Sequence, residues 1–154
     1  MTTDQLVVFR LDQHRYALPL AVVERVVRAA EVTPLPKAPE IVLGAIDVHG
    51  RVLPVLDVRR RFLLRSRHIR PADWFLLAHT TRRMVALLVD ESEGVIERPH
   101  DGIVDATLIA PGLDHFPGIV RLDDGMVLIH DLETFLSLDE ARTLRDAMGD
   151  QPEV

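Results

Sequence analysis

Short runs of apolar, strand-forming residues separated by polar turns cover most of the chain and predict an all-β protein. Segments 6–11 and 16–20 flank a short polar run, which predicts a hairpin. Segments 42–48 and 51–58 predict a second hairpin, because Gly50 can adopt the positive φ that a tight turn needs. In the second half of the chain, 74–78 is expected to pair with 84–89, and 119–122 with 126–131.

Helical periodicity is confined to two segments. Apolar residues recur at three- and four-residue spacing between residues 22 and 30, which predicts a short helix. A clearer apolar stripe predicts a C-terminal helix over residues 139–149 that is capped by Ser137 or Asp139 and ends at Gly149. The last residues, 150–154, are expected to fray.

One segment occurs twice in the chain. Residues 44–58 align without a gap on residues 118–132, with a glycine opening each copy and an aspartate, Asp57 or Asp131, near its end. The repeat predicts two related subdomains, at about 6–65 and 74–138. Units of this size bury little surface alone, so we expect them to share a core. Five short strands with tight turns in each half favour a pair of small β-barrels.

Composition narrows the function classes. The chain has 154 residues, no cysteine and a formal net charge of −6. Disulfides, thiolate metal sites and thiol nucleophiles are therefore excluded, and nucleic acid is disfavoured as the main partner. The N-terminus does not resemble a signal peptide, and no apolar run approaches the roughly 18–20 residues of a membrane helix. A cytoplasmic location without membrane insertion is the resulting expectation.

No catalytic, metal or cofactor site is predicted. The seven histidines lack the spacing of metal ligands, and the chain contains no nucleophile elbow, Walker loop or dinucleotide fingerprint. Asp57 and Asp131 lack the Thr/Ser-Gly that follows the paired aspartates of aspartic proteases. We expect each to end a strand and to accept backbone N–H groups of the next turn.

Six arginines lie between residues 59 and 70. They are compatible with phosphate contacts, with an acidic patch on a protein partner, or with a solvated connector between the two halves. As a candidate basic protein-contact cluster we select five of them: Arg59, Arg60, Arg61, Arg65 and Arg67.

The repeated segment also resembles a known family signature. The residues from Gly44 to Val58, GAIDVHGRVLPVLDV, are similar to the pattern G-x-x-N-L-R-G-x-x-x-P-V-x-D-L of CheW-like domains. Further matches to the family are the opening hairpin, the TPLP run at 33–36, the segment 87–95 and the closing segment 118–136. The resemblance spans residues 6–138 in order, as a free-standing domain.

The resemblance implies two SH3-like, five-stranded barrels on one core. It also implies a scaffold without catalysis that couples the cytoplasmic tip of a methyl-accepting chemoreceptor to the regulatory domain of a CheA-type histidine kinase. Such a protein would be recruited to receptor arrays at the inner membrane. The alternatives are a nucleic-acid-associated barrel protein that uses the arginines at 59–70, and an enzyme in the cleft between the halves.

The family also suggests an apolar groove between the barrels that receives the receptor tip. Where the family has Asn-Leu-Arg-Gly, this chain has Asp47-Val48-His49-Gly50, so the fork of donors that arginine supplies is lost. Gly44 is expected to permit close approach of the partner. By this resemblance, six residues are assigned to the groove: Val23, Val26, Gly44, His49, Val89 and Val95.

Overall fold

The computed structural model describes residues 3–105 and 116–149. Strands dominate, as predicted, and within the described residues two α-helices and three short 3-10 turns accompany them. The strands are β1 (Thr3–Leu11), β2 (His14–Pro19), β3 (Val23–Arg28), β4 (Val42–Val48), β5 (Arg51–Leu56), β6 (Trp74–His79), β7 (Met84–Val89), β8 (Glu91–Pro99), β9 (Ile103–Val104), β10 (Gly118–Leu122) and β11 (Gly125–Ile129). The helices are α1 (Val58–Arg61) and α2 (Leu138–Met148), and the 3-10 turns are Leu20–Val22, His100–Gly102 and Leu132–Thr134.

Two sheets contain all of these strands. The first has the order β8-β1-β2-β11-β10-β9 and the second the order β3-β6-β7-β5-β4. The four predicted hairpins, β1–β2, β4–β5, β6–β7 and β10–β11, are confirmed as antiparallel pairs. The remaining contacts between hairpins are parallel, β11 with β2 and β5 with β7.

Each sheet is closed by one chain segment that runs along both of its edges. In the first sheet, the 3-10 turn His100–Gly102 joins β8 directly to β9. In the second, the chain continues from β3 to Thr33, which exchanges two backbone hydrogen bonds of 3.0 and 2.8 Å with Ala45 of β4. If each interrupted segment counts as one strand, both barrels have five strands, and few edges remain open to pairing with other molecules.

The barrels do not follow the predicted division into 6–65 and 74–138. Barrel one combines the β1–β2 hairpin with β8 to β11, whereas barrel two combines the β6–β7 hairpin with β3 to β5. The two repeats have thus exchanged their first hairpins. The repeat shows which strands are equivalent, but it does not show whether a hairpin pairs with strands of its own copy or of the other copy. Both pairings preserve the same local contacts.

The exchange explains why the two halves share a core. The largest apolar cluster, here called the inter-barrel core, takes Phe9 and Leu18 from barrel one together with Leu76 and Leu87 from barrel two. Two smaller clusters fill the barrel interiors. Because neither half can bury these residues alone, the barrels are expected to fold as one unit.

The helix predicted at 22–30 is wrong, because this segment forms the end of a 3-10 turn and strand β3. A bulge between Val23 and Arg25 shifts the register against β6, so Val23 and Val26 lie opposite Ala78 and Leu76 on one face. The bulge therefore produces the three-residue spacing that resembles a helix. β-branched residues fit the pleated surface of a sheet better than a helix.

The C-terminal helix is confirmed as α2. Ser137 and Glu140 form a capping box, with hydrogen bonds of 3.1 and 2.9 Å between each side chain and the backbone N–H of the other. Gly149 ends the helix at φ +74°. Leu144 is fully buried in the inter-barrel core, which holds the helix on the barrels. Within 3–105 and 116–149, no helix is long and apolar enough to cross a membrane, and the predicted fraying of 150–154 falls outside these residues.

Candidate partner-binding face and ion-pair network

Three of the six predicted groove residues are accessible on strand faces turned toward the inter-barrel core. Val23 and Val26 of β3 are half-buried and pack against the inter-barrel core. Val95 of β8 lies opposite Val7, which shares a face of β1 with the core residue Phe9. Val95 is 52% exposed. We call these three valines the inter-barrel face, since β3 belongs to barrel two and β8 to barrel one.

His49 lies at the exposed tip of the β4–β5 hairpin, with φ +52°. The carboxylate of Asp47 accepts a hydrogen bond from the backbone N–H of Gly50 at 2.8 Å, so this aspartate stabilises the turn. Arg51 pairs with Glu24 of β3 at 3.4 Å, which holds the hairpin tip beside the strand that carries Val23. The hairpin tip that carries His49 therefore lies near β3.

Gly44 is buried. A glycine is needed here because of close contacts within the chain, and not to let a partner approach. With φ +154°, a Cβ at this position would overlap the carbonyl oxygen of Thr33 and come within 2.6 Å of Val32 Cγ1. Gly118, its counterpart in the repeat, would place a Cβ 2.5 Å from Ile103 Cγ2. Both repeat glycines therefore lie directly against the chain segment that closes their barrel.

Val89 cannot contact a partner, because its side chain is fully buried. It ends β7, pairs with Trp74 and belongs to the inter-barrel core. Its assignment to the groove is wrong. Apolar residues of exposed and buried strand faces look alike in a single sequence, and only the neighbouring strands decide which are covered.

Four of the five arginines in the candidate basic protein-contact cluster make ion pairs within the chain, and the role of the cluster as a contact surface stays a prediction. Arg60 pairs with Glu40, and Arg61 makes two hydrogen bonds of 2.6 Å to Glu140 of α2. Arg65 is exposed, and its backbone carbonyl accepts a hydrogen bond from Arg59.

Arg59 and Arg67 are central to a partly buried ion-pair network. Arg59, with a side chain only 7% exposed, lies 2.6 Å from both Asp12 and Asp90. Arg67 bonds the fully buried Asp73 at 2.8 Å through both terminal nitrogens and also pairs with Asp90. The network links the β1–β2 turn of barrel one to α1, to the residue after β7 and to the residue before β6. It therefore connects the two barrels.

The network lowers the pKa values of two of its carboxyl groups. The hydrogen bond from Arg59 holds the pKa of Asp12 below its ordinary value. Burial acts to raise the pKa of Asp73, but the hydrogen bonds from Arg67 and from the Arg70 backbone outweigh it, so the pKa is lowered. Both groups are thus charged in the folded protein at neutral pH.

Acid is expected to destabilise the fold below about pH 4. A carboxyl group with a lowered folded pKa stabilises the fold above its unfolded pKa of about 3.9, and this stability is lost as the pH falls through the folded pKa. The urea midpoint should stay nearly constant from about pH 7 to 5 and fall between about pH 4 and 2. The urea midpoint of an Asp73→Asn variant should be lower at neutral pH and should decrease less on acidification. An equally steep fall in that variant would contradict the assignment.

The repeated aspartates have the structural role that the sequence predicts. Asp57 accepts a hydrogen bond from the N–H of Arg60 at 3.2 Å and caps α1. Asp131 accepts one from the N–H of Glu133 at 3.0 Å and caps the 3-10 turn that follows β11. The protease interpretation receives no support from this geometry.

Sequence reasoning missed the carboxylates of the network. Asp12, Asp73 and Asp90 each lie next to a strand end. Asp12 is 47 positions from Arg59 and Asp90 is 31, whereas Asp73 is only six positions from Arg67. A partial signal was available, since an acidic residue directly before or after a buried apolar run often pairs with a cation.

The comparisons with known proteins agree with this architecture. A family model described as a CheW-like domain matches residues 5–140. The chemotaxis protein CheW of Treponema pallidum is 23% identical over 146 residues, covering 91% of this chain and 86% of the relative. Protein FrzA of Myxococcus xanthus is 28% identical over 135 residues, covering 87% and 84% of the two chains.

A solved structure shares the fold. The crystal structure of the scaffolding protein TtCheW from Thermoanaerobacter tengcongensis superposes with a TM-score of 0.79 and 26% sequence identity, covering 90% of this chain and 96% of that one. The prediction of two SH3-like barrels with a C-terminal helix is thereby confirmed.

Proposed function

The chain belongs to the CheW-like domain family, and from this membership we propose that it is a non-catalytic adaptor that couples chemoreceptors to a CheA-type histidine kinase. The match of the family model over residues 5–140 carries the proposal, and it is supported by relatives named chemotaxis proteins and by a neighbour named a scaffolding protein. In this proposal the chain acts on the cytoplasmic side of receptor arrays, where receptor tips and kinase meet.

The inter-barrel face is the proposed receptor site. Receptor tips are helical, and apolar side chains aligned along a groove are a recurring way to hold a helix. Val23, Val26 and Val95 provide such side chains from both barrels, and His49 stands at the adjoining hairpin tip. The regulatory domain of the kinase would occupy a different surface, so that both partners can bind together.

A binding titration tests the proposal. The purified full chain is titrated with the regulatory domain of a CheA-type kinase from the same genome, and then with a soluble receptor tip fragment. Affinities in the micromolar range are expected for each partner, because adaptor interfaces are small and gain strength by avidity in an array. Absence of binding to both partners would contradict the proposal.

Val95→Lys is expected to weaken receptor-tip binding at least about tenfold, equivalent to ~1.4 kcal/mol. The substitution places a charge on the inter-barrel face but leaves the buried cores intact, so the free energy of unfolding should change little. Met126→Lys is the matched control, since Met126 is 58% exposed on β11. The receptor site would have to lie elsewhere if both variants bound the tip like the parent protein.

A further inference from the structure

A groove of about 1080 Å³ lies between the β6–β7 turn and α2, on elements that do not carry the inter-barrel face. Its lining includes accessible apolar side chains of β5, β7 and α2: Val52 and Leu138 are exposed, and Met84 is half-buried. A concave surface of this size is large enough to accept several side chains of a binding partner.

The charges around the groove have the opposite sign to the molecule as a whole. The chain carries a formal net charge of −6, yet four arginines line the groove against a single carboxylate, Glu133. That carboxylate accepts hydrogen bonds from the backbone N–H of Thr81 at 2.7 Å and from its hydroxyl at 3.0 Å. The local field therefore favours an anionic ligand.

The arginines of the rim are available to a ligand. Arg82, Arg142 and Arg145 are all exposed. Arg142 lies 4.0 Å from Asp139, but both side chains are more than two-thirds exposed, and such pairs contribute little. Across the described parts of the chain, neither Arg82 nor Arg145 makes an ion pair within the 4.0 Å limit of a salt bridge.

The shape selects among anionic ligands. Helix α2 has 11 residues, which at 1.5 Å per residue give the groove a wall of about 16 Å. A second helix of similar length can lie against this wall with its apolar side toward the floor. A flat membrane surface would reach the arginines at the rim but not the apolar floor.

We propose that this groove binds an acidic amphipathic helix of a partner protein, with apolar side chains on the floor and carboxylates on the arginine rim. The arginines supply fork-like donors that can bind carboxylates through two hydrogen bonds. This site is separate from the proposed receptor face, so the adaptor could bind another protein while it is engaged with a receptor.

The test uses two synthetic helical peptides of about 14 residues, roughly 21 Å long. One carries leucine on one side and glutamate on the other, and its counterpart replaces glutamate by lysine. We expect the full chain to bind the glutamate peptide at least tenfold more tightly, with NMR shifts centred on the groove residues Met84, Ala141 and Met148. No kinase or receptor is present, so the outcome is independent of the proposed function.

Charge reversal locates the site. The double variant Arg82→Glu/Arg145→Glu is expected to weaken binding of the glutamate peptide at least tenfold. The control Arg25→Glu/Arg121→Glu makes the same charge change at exposed arginines elsewhere and should stay within about twofold of the parent. Equal affinity for both peptides, an unaffected groove variant, or rim-dependent binding to phosphatidylglycerol vesicles without peptide binding would each overturn the proposal.

Discussion

Replacement of Arg59 by alanine is expected to lower the free energy of unfolding by about 3 kcal/mol, the lower end of what the loss of one partner of a buried ion pair costs. Arg59 is buried and bonds Asp12 and Asp90. Without it, Asp90 keeps Arg67 but loses one of its two counter-ions. The lower end applies because the carboxylate of Asp12 is half exposed and can be solvated.

Urea unfolding of the two variants Arg59→Ala and Arg65→Ala measures this effect. Arg65 belongs to the same arginine-rich segment but is exposed, so its replacement should change the free energy of unfolding by no more than about 0.5 kcal/mol. Similar losses in the two variants would show that the network does not stabilise the junction between the barrels.

Replacement of Gly44 by alanine is expected to cost roughly 3–5 kcal/mol, combining backbone strain with the loss of the two hydrogen bonds that close barrel two. A Cβ at Gly44 would overlap the carbonyl oxygen of Thr33, and the same backbone unit exchanges the hydrogen bonds with Ala45. The obstacle is backbone, so rotation of a side chain cannot relieve it.

Gly50→Ala is the matched control for Gly44→Ala. Gly50 also has positive φ, at +85°, but a Cβ there would meet nothing within 4 Å. Only the strain of the left-handed conformation remains, at about 1 kcal/mol. Circular dichroism and urea unfolding distinguish the two cases, and a Gly44→Ala variant no less stable than Gly50→Ala would contradict the steric argument.

The hairpins could be predicted because their signals are local. The run Asp123-Asp124-Gly125 between two apolar segments is a turn signal that no distant contact needs to support. The same holds for the capping box and for Gly149 at the ends of α2. Strand β3 was mistaken for a helix because the bulge next to Val23 is imposed by its pairing with β6.

The exchange of hairpins between barrels could not be predicted. The two copies of the repeat are equivalent, so the sequence does not distinguish pairing within a copy from pairing between copies. The same limit applies to the charged residues. Arg59 looks like a surface cation until the structure brings Asp12 and Asp90, 47 and 31 positions away, to within hydrogen-bonding distance.

The proposed partner face was predicted only in part, since exposure depends on neighbouring strands. Val95 and Val89 are similar apolar residues of the second half, yet Val95 is 52% exposed whereas Val89 is fully buried. Gly44 was selected because it has no side chain, and this property does matter. The group that lies close to it is Thr33 of the same chain rather than a partner protein.

The central claim is that the chain couples receptor to kinase, and reconstitution of that coupling tests it most directly. A full-length receptor in vesicles is mixed with the kinase, with or without this protein, and the rate of kinase autophosphorylation is measured. We predict that the rate rises and responds to receptor ligand only when the protein is present, and that Val95→Lys abolishes the response. An identical rate with and without the protein, despite binding of both partners, would contradict the claim.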